Sequence, residues 1–289
     1  MGFGEQTIGY RVQAECIVAL RGADARSWLN AQTSNDLGLL TQGVLLPSLV
    51  LNSKGRVLAF LWIFEHEGRL CFSTAADHWP KLRDNFERHI FMEEVELNEQ
   101  AWGFVTLVGE GVEEGISRLK GEGLGCFRSE RLGPTIDLLA PDKERVGEHL
   151  GELASRLGRS LCPIDDGEWE KMRVARGVPA FGVDFGDWTY PQEVGLKRML
   201  SFSKGCYLGQ EVVYMLEHRG RPSRLLVRLE GADGLGRGDA LFWQGEKVGE
   251  TTSVAGGKAL ALVKASCAQE GVALHSPRGL VMVKERVEW

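Results

Sequence analysis

The sequence lacks any dense run of basic residues and any long apolar run. Of its 289 residues, 34 are Lys or Arg and 40 are Asp or Glu, which gives a formal net charge of −6. Nucleic-acid-binding proteins usually carry a basic excess or a basic stripe, so we expect no nucleic-acid partner. No apolar run approaches the roughly 18 residues typical of a membrane span, and residues 1–16 lack the features of a signal peptide. We therefore expect a soluble cytoplasmic protein with no membrane partner.

The sequence also lacks paired metal-binding residues. Its six cysteines stand at positions 16, 71, 126, 162, 206 and 267, without a C-x-x-C pair, and its six histidines form no H-x-x-x-H pair. These spacings match no zinc or iron–sulfur pattern, so we predict no metal site. A chain of this length can bury a core without disulfides, and in the expected compartment the cysteines are reduced thiols.

The composition is otherwise that of an ordinary globular protein, with 43% hydrophobic and 26% charged residues. At about 100–200 residues per domain, the length predicts two domains or three packed units. Glycine is abundant at 37 residues, which indicates many tight turns and close backbone approaches.

Strand-like and helix-like segments alternate irregularly in residues 1–222, which predicts an α+β fold rather than a regular βαβ array. Predicted strands lie at 15–20, 102–108, 127–131 and 135–139, with a hairpin over 56–73. Predicted helices begin after Asp24, after Asp77 (with Trp79, Leu82, Phe86 and Ile90 on one face), at Pro141 and at Asp166 (with Trp169 and Met172 inward).

The pattern changes near Arg221–Ser223. Five short strand-like runs follow, separated by turns that contain glycine, and no helical period is visible. Such a series predicts a small antiparallel barrel or sandwich. We therefore place a domain boundary there, with a core at 1–222 and a C-terminal β-barrel at 223–289.

The densest group of unusual residues lies between Pro191 and Arg219. Residues 204–209 are typical of a loop with glycine hinges, and residues 210–218 of a helix. Cys206 would precede the helix, whose N-terminal dipole favours a thiolate, and the cation of Lys204 would favour the same charged form. Gly205 and Gly209 would allow close approach of a ligand. The alternative is a buried structural cysteine, because free cysteine is among the most buried residue types.

Other motifs are weaker. Gly109-Glu110-Gly111 lacks the spacing of a phosphate-binding loop and is typical of a plain turn. Two acidic groups (165–170 and 184–187) have the pattern of helix capping and loop solvation. No G-x-S-x-G motif is present, and no histidine stands in a triad context.

Lys204–Glu211 reads KGCYLGQE. It matches the K-G-C-Y-x-G-Q-E signature of the YgfZ family, which are folate-binding proteins of iron–sulfur cluster maintenance. Further segments that resemble the family are Arg173–Asp184, Tyr190–Leu196, His218–Gly220, Leu20–Ala25, Trp28–Asp36 and Leu51–Val57. The resemblance covers nearly the whole chain. It implies the fold of the parent superfamily, which includes the aminomethyltransferase T-protein: two α/β modules around a central channel that holds the pterin, plus a C-terminal β-barrel.

Two positions depart from the T-protein pattern. Apolar Leu58 and Ala59 stand where T-protein carries the aspartates that serve one-carbon transfer, and Ala175 stands where a carboxylate anchors the pterin. Without the first carboxylate, T-protein chemistry has no obvious acid/base group. Without the second, folate binding is weaker or uses another anchor. Both departures make the cysteine the leading functional residue.

The resemblance thus implies a protein that binds tetrahydrofolate or a derivative and supports iron–sulfur client or assembly proteins through Cys206 and Lys204. The cofactor-binding residues it implies are Tyr207, Gln210, Glu211, Gly205, Gly209, Gln192, Arg173 and Arg219. Two alternatives stay open. One is a folate-dependent aminomethyl- or methyltransferase, and the other is a non-catalytic interaction scaffold.

Overall fold

The computed structural model describes residues 7–110, 112, 125–142, 150–151, 154–155 and 158–289. The chain forms two compact units. The first unit contains Met1–Gln32, Asp36–Ser48 and Phe60–Asp165, and the second contains Thr33–Asn35, Leu49–Ala59 and Asp166–Trp289. Each unit is thus assembled from three separate segments of the chain. The domain boundary between residues 222 and 223 stays a prediction.

Within the described chain up to residue 165, ten strands and two α-helices are described from end to end. The strands are β1 (Thr7–Val12), β2 (Glu15–Arg21), β3 (Leu46–Leu51), β4 (Val57–His66), β5 (Arg69–Ala75), β6 (Glu96–Gln100), β7 (Gly103–Val108), β8 (Gly125–Ser129), β9 (Thr135–Ala140) and β10 (Ser160–Pro163). The helices are α1 (Ala25–Gln32) and α2 (Trp79–Glu87). The predicted helix from Pro141 lies largely outside the described residues.

These strands form two five-stranded sheets, ordered β10-β1-β7-β9-β8 and β3-β4-β5-β2-β6. In the first sheet β1 pairs in parallel with β10, and the other pairings are antiparallel. In the second sheet, β4 and β5 form the predicted hairpin around a turn in which Glu67 and Gly68 have positive φ. The mixture of helices with antiparallel and parallel strands confirms the α+β prediction.

Helix α2 differs from its prediction at both ends. Its N-cap is His78, which makes no side-chain capping bond, so the predicted cap by Asp77 is wrong. Pro80 at the start of the helix lacks a backbone N–H, which reduces the need for a cap. The helix ends at Glu87, so Ile90 lies beyond it. The inward face is nonetheless as predicted, because Trp79, Leu82 and Phe86 are all buried.

The predicted C-terminal barrel is confirmed. It closes in the order β11-β14-β13-β12-β15-β16. Its strands are β11 (Arg224–Glu230), β12 (Ala240–Trp243), β13 (Glu246–Ala255), β14 (Lys258–Lys264), β15 (Ala273–Ser276) and β16 (Gly279–Arg286). The sequence analysis missed β15, because its four residues end in His275 and Ser276 and show no apolar run, unlike the equally short β12. Val227, Leu229, Leu241, Ala261 and Val283 are among the side chains that fill the barrel.

Helix α3 (Asp166–Ala175) lies against β13 and β14 of the barrel. Its buried residues are Arg173 and Val174, whereas the predicted inward residues, Trp169 and Met172, are half-buried. A charged residue on the buried face breaks the hydrophobic pattern that the prediction relied on.

A buried arginine pairs with two carboxylates in the first unit. Arg131 donates to both carboxylate oxygens of Glu15 and, through Nε at 2.9 Å, to Asp137. Its guanidinium also lies 5.0 Å from the ring centroid of Trp62. Although burial lowers the pKa of Arg131, the charges of Asp137 and Glu15 outweigh it and raise the pKa above its ordinary value. Thr106 donates to the same Asp137 carboxylate.

Three aromatic rings add to this core. Phe64, Phe104 and Phe127 are buried and meet edge to face, with centroids 5.0–5.9 Å apart. Such pairs contribute about 0.5–1.5 kcal/mol each beyond the area they bury. Because Phe64 lies on β4 and the others on β7 and β8, the cluster joins the two sheets of this unit.

The buried ion cluster gives a first prediction. Arg131→Met should lower the free energy of unfolding by about 3–5 kcal/mol, because it leaves buried carboxylates without their cation. Urea unfolding followed by circular dichroism measures this change. Arg83→Met is the control, since Arg83 pairs with Glu87 and Glu99 on the surface, and it should cause no measurable change. Equal stability of the two variants would contradict the assigned role.

Candidate functional site

Cys206 lies in a loop of the second unit, Ser201–Gly209, which we call the cysteine loop. The loop leads directly into helix α4 (Gln210–His218), whose N-cap is Gly209. Cys206 is exposed and makes no hydrogen bond with any described residue. The thiol is thus accessible, and the alternative of a buried structural cysteine is wrong.

Lys204 fastens the cysteine loop to residues 33–35. Its ammonium group donates to the carbonyl oxygens of Thr33 and, at 2.6 Å, of Asn35. It also lies 5.0 Å from the ring centroid of Tyr207. The backbone N–H of Ser201 donates to the carbonyl of Ser34 at 2.8 Å. Lys204 therefore holds the loop in place, and its assignment to tuning the thiol stays a prediction.

Ser34 also binds Met199, which precedes the cysteine loop. Its hydroxyl donates to the carbonyl of Met199 at 2.7 Å and accepts from the backbone N–H of Leu49 at 3.1 Å. Its own N–H donates to the Leu49 carbonyl at 2.8 Å. Ser34 is fully buried, so these bonds satisfy polar groups that water cannot reach.

Gly209 packs against the turn that contains Asn52 and Gly55. Its φ is +79°, and a Cβ at this position would lie 2.4 Å from the Asn52 carbonyl oxygen. Only glycine fits such a close approach in a left-handed conformation. Gly205 is different, because a Cβ there would meet nothing within 4 Å. Gly209 is therefore required for a close approach of the chain to itself, Gly205 is not, and close approach of a ligand to either glycine stays a prediction.

Tyr207 and Gln192 carry buried polar atoms without partners. The Tyr207 hydroxyl and Gln192 Oε1 are inaccessible and have no hydrogen-bond partner within the described ranges. Burial raises the pKa of Tyr207 above its ordinary value, so the phenol stays neutral. Gln192 Nε2 donates to the Val213 carbonyl at 2.8 Å, which ties its segment to α4. Unsatisfied buried groups are rare in folded proteins, and each could accept or donate a bond to a ligand.

Three further residues that the sequence analysis assigned to the site lie on or next to helix α4. Gln210 is half-buried, while Glu211 and Arg219 are exposed, and none of the three side chains has a partner among the described residues. The assignment of these three residues to cofactor binding stays a prediction.

Arg173 belongs to a buried network on the barrel side of α3. Its guanidinium donates to Glu170, to the Val178 carbonyl, to Asp184 at 2.7 Å and to the Ser253 hydroxyl. With its five N–H groups committed, it has no donor left for a ligand. Asp184 is fully buried, which corrects the expectation that its acidic group solvates a loop.

A second charged cluster was missed by the sequence analysis. Arg56 and Arg224 both donate to the buried carboxylate of Glu193, at 3.3 and 3.1 Å. The same carboxylate accepts from the Tyr190 backbone N–H at 2.9 Å, and the Arg56 guanidinium lies 3.6 Å from the centroid of the Tyr190 ring. The available signal was the P-Q-E-x-G-L segment, which the family resemblance had marked without assigning a role to its glutamate.

The geometry partly fits a folate ligand. The Tyr207 hydroxyl and Gln192 Oε1 offer unpaired polar atoms. At the positions where the sequence analysis expects the T-protein carboxylates, Ala59 is buried and Leu58 and Ala175 are half-buried. Within the described residues no group of three or more His, Cys, Asp or Glu side chains could hold a metal ion. No helix of this part of the chain is both long and apolar enough to span a membrane.

Comparisons with known proteins agree with the motifs. No family model matches the chain. A Vibrio vulnificus protein named tRNA-modifying protein YgfZ is 25% identical over 228 residues, which cover 75% of this chain and 68% of the relative. A protein of the same name from Aliivibrio fischeri is 23% identical over 225 residues, or 74% of this chain and 68% of the relative. The resemblance to the YgfZ proteins is confirmed.

A solved structure gives the fold. The glycine cleavage system aminomethyltransferase T of Bartonella henselae superposes with a TM-score of 0.83 over 96% of this chain and 85% of its own, at 18% identity. The expected T-protein-like fold with its C-terminal barrel is therefore confirmed. At this identity the likeness concerns the fold alone, and the reaction of that enzyme is not transferred.

Gly205 and Gly209 give a matched test of what holds the cysteine loop in place. Gly209→Ala should lower the free energy of unfolding by about 1–3 kcal/mol, because it forces alanine into a left-handed conformation beside the Asn52 carbonyl. It should also change the alkylation rate of Cys206, measured with iodoacetamide in a Cys162→Ala background, since Cys162 is also exposed. Gly205→Ala should leave both quantities unchanged. Similar behaviour of the two variants would show that Gly209 does not hold the loop.

Proposed function

We propose that the chain is a YgfZ-type accessory protein that binds a tetrahydrofolate derivative and supports iron–sulfur enzymes through the thiol of Cys206. The observation that carries the proposal is an exposed thiol on a loop anchored by buried contacts. Lys204 and Ser201 hold that loop to residues 33–35, and Gly209 packs on the turn at Asn52. These are the segments in which the family motifs lie.

An accessible thiol without a hydrogen-bond partner can act as a nucleophile or as a ligand for iron once it is deprotonated. One thiol cannot hold a whole cluster, because clusters use four protein ligands. The iron–sulfur client or a second protein must then supply the remaining cluster ligands. A loop fixed by buried bonds keeps the thiol in one place while such a partner approaches.

Folate, when bound, would carry a one-carbon unit. The residues suited to hold it are Tyr207 and Gln192, whose buried polar atoms lack protein partners. Tyr207 can donate a hydrogen bond through its neutral phenol, whose pKa is raised further above its ordinary value by burial. Gln192 can accept through Oε1 while Nε2 stays bound to the Val213 carbonyl. The other cofactor-binding assignments (Gln210, Glu211, Gly205, Gly209, Arg173 and Arg219) stay predictions, and the bonds of Arg173 argue against its own.

The names of the relatives connect them to tRNA modification. We include tRNA modification in the proposal as a process that the supported enzymes carry out. The chain itself need not contact nucleic acid, in keeping with its net charge of −6.

A direct aminomethyl- or methyltransferase role is the second candidate. The T-protein fold favours it, and the apolar residues Leu58 and Ala59 oppose it.

Folate binding is tested by calorimetric titration of the reduced protein with tetrahydrofolate and 5-formyl-tetrahydrofolate. We expect saturable binding in the micromolar range, equivalent to about 8 kcal/mol. Tyr207→Phe should weaken binding, because it removes the unpaired hydroxyl and preserves the ring. No binding up to millimolar ligand would favour the interaction scaffold. Formation of methylene- or methyl-tetrahydrofolate from a donor amine by the protein alone would favour the transferase.

The thiol is tested by complementation in a bacterium that lacks its YgfZ gene. Cys206→Ala should abolish rescue of iron–sulfur enzyme activity and of tRNA modification, measured by enzyme assay and by mass spectrometry of digested tRNA. Cys162→Ala is the matched control, because that thiol is also exposed, and it should rescue fully. Full rescue by Cys206→Ala, at equal protein levels, would contradict the proposed thiol role.

A further inference from the structure

Two neighbouring apolar side chains project into water from the first unit, between helix α2 and strand β6. Phe91 is 82% exposed and Met92 is 94% exposed, whereas the other exposed large apolar side chains of the described residues are 37–62% exposed. Single exposed apolar residues are common, but two neighbours at this exposure form a contiguous apolar surface, which is typical of an interaction site. We call residues 90–94 the apolar tip. The proposed function uses none of them.

The carboxylate of Glu93 fixes the backbone of the apolar tip. It accepts hydrogen bonds from the backbone N–H groups of Phe91 at 2.9 Å and of Met92 at 3.1 Å. The backbone N–H groups of Phe91, Glu93 and Met92 lower the pKa of the Glu93 carboxyl below its ordinary value. The charged form that accepts these bonds therefore persists to lower pH than in a free glutamate.

Both ends of the apolar tip are also bonded to the start of helix α1. Before the tip, the indole N–H of Trp28 donates to the carbonyl of His89 at 2.9 Å. At its end, the backbone N–H of Glu94 donates to the carboxylate of Asp24 at 2.9 Å, and the backbone N–H of Asp24 donates to the Glu94 carbonyl at 3.3 Å. The backbone is thus held on both sides, while the two apolar side chains stay in water.

A fixed apolar tip is suited to binding. A segment that is already bonded in one conformation loses less conformational entropy when it binds, so more of the gain from apolar burial remains as affinity. Aromatic side chains and methionine are also enriched at protein interfaces. The bonds around Phe91 and Met92 therefore provide the rigidity that a docking site needs, without burying either side chain in the fold.

The surroundings of the tip are strongly acidic. Residues 84–96 contain one basic residue, Arg88, and five acidic residues, all of which are exposed: Asp84, Glu87, Glu93, Glu94 and Glu96. Glu87 pairs with Arg83, whereas the other four form no ion pair with any described residue. Such a concentration of carboxylates attracts a cationic surface and repels the anionic surface of a membrane.

We propose that the apolar tip docks into a partner protein whose apolar pocket is rimmed by lysine and arginine side chains. Phe91 and Met92 enter the pocket, and the carboxylates of Glu94 and Glu96 face the basic rim. A second copy of the tip is a poor partner, because two acidic surfaces would meet and repel each other. The proposal goes beyond the role of Cys206, since the tip belongs to the first unit and the cysteine loop to the second.

The test places a photoreactive probe in the full chain. Phe91→p-benzoylphenylalanine keeps an aromatic ring and attaches covalently to a partner on irradiation. In cells of the source organism we expect one discrete protein adduct, whose crosslinked peptide, identified by mass spectrometry, contains apolar residues beside lysine or arginine. Leu280→p-benzoylphenylalanine is the matched control, because Leu280 is a 57% exposed apolar residue of the barrel. It should give no adduct with the same protein.

The acidic rim is tested in the same probe-bearing chain. Glu94→Gln combined with Glu96→Gln should lower the adduct yield at least about threefold, because it removes two charges that face the basic rim. Glu94→Asp combined with Glu96→Asp keeps both charges and should preserve the yield. Thermal unfolding would verify that all variants fold.

Phe91→Ser should leave the midpoint of thermal unfolding unchanged, because the side chain is already largely in water. A clear fall in that midpoint would show that the ring supports the fold of its own chain and would overturn the proposal. It would equally be overturned by the absence of a protein adduct at position 91, by an equal adduct at position 280, or by a yield that does not respond to charge removal. A lipid or a second copy of this chain as the main adduct would overturn it as well.

Discussion

The second unit depends on the attachment of the cysteine loop to residues 33–35. Lys204 donates to the carbonyl oxygens of Thr33 and Asn35, and Ser34 bonds to Met199, across about 165–171 positions of sequence. Closing loops of this length costs conformational entropy, so the buried bonds and the packing around them must offset that cost. A lysine suits this position, because its ammonium group has three donors and can bind two carbonyls at once. The loop that carries the accessible thiol is therefore held by the same bonds that bring distant segments of the unit together.

Much of the fold could be predicted from the sequence, and the errors have physical causes. The hairpin of β4 and β5, the inward face of α2, helix α4 and the barrel were predicted from patterns that extend over many residues. The sequence analysis missed β15 because two of its four residues are polar and it shows no apolar run. It misassigned the buried face of α3 because Arg173 is neutralised by Asp184 and bonded to Ser253, which lie 11 and 80 residues away. From the sequence alone, a charged residue is expected to be exposed when the residue that neutralises it lies far away along the chain.

The candidate site was predicted in part. The signature segment identified Cys206 and Lys204, and the structure shows that the first is exposed and the second is bonded to backbone carbonyls. The sequence could not distinguish Gly205 from Gly209, since only the position of the Asn52 carbonyl makes one of them indispensable. Nor could it show that Arg56 and Arg224 share Glu193, because the partners are 137 and 31 residues apart. A local motif indicates which residues are candidates for the site, whereas contacts between residues far apart in sequence determine the structural role of each one.

The closed barrel has a consequence for fragments of this protein. All six strands have neighbours on both sides, and the ring closes where β16 pairs with β11. A proteolytic cut in the turn between β15 and β16 that released the last strand would leave β11 and β15 with unpaired backbone groups along one side. Exposed strand edges of this kind pair readily with other chains. Shortened forms of the chain are therefore expected to accumulate as aggregates, so that a preparation that stays monodisperse over time is itself a sign that the last strand is intact.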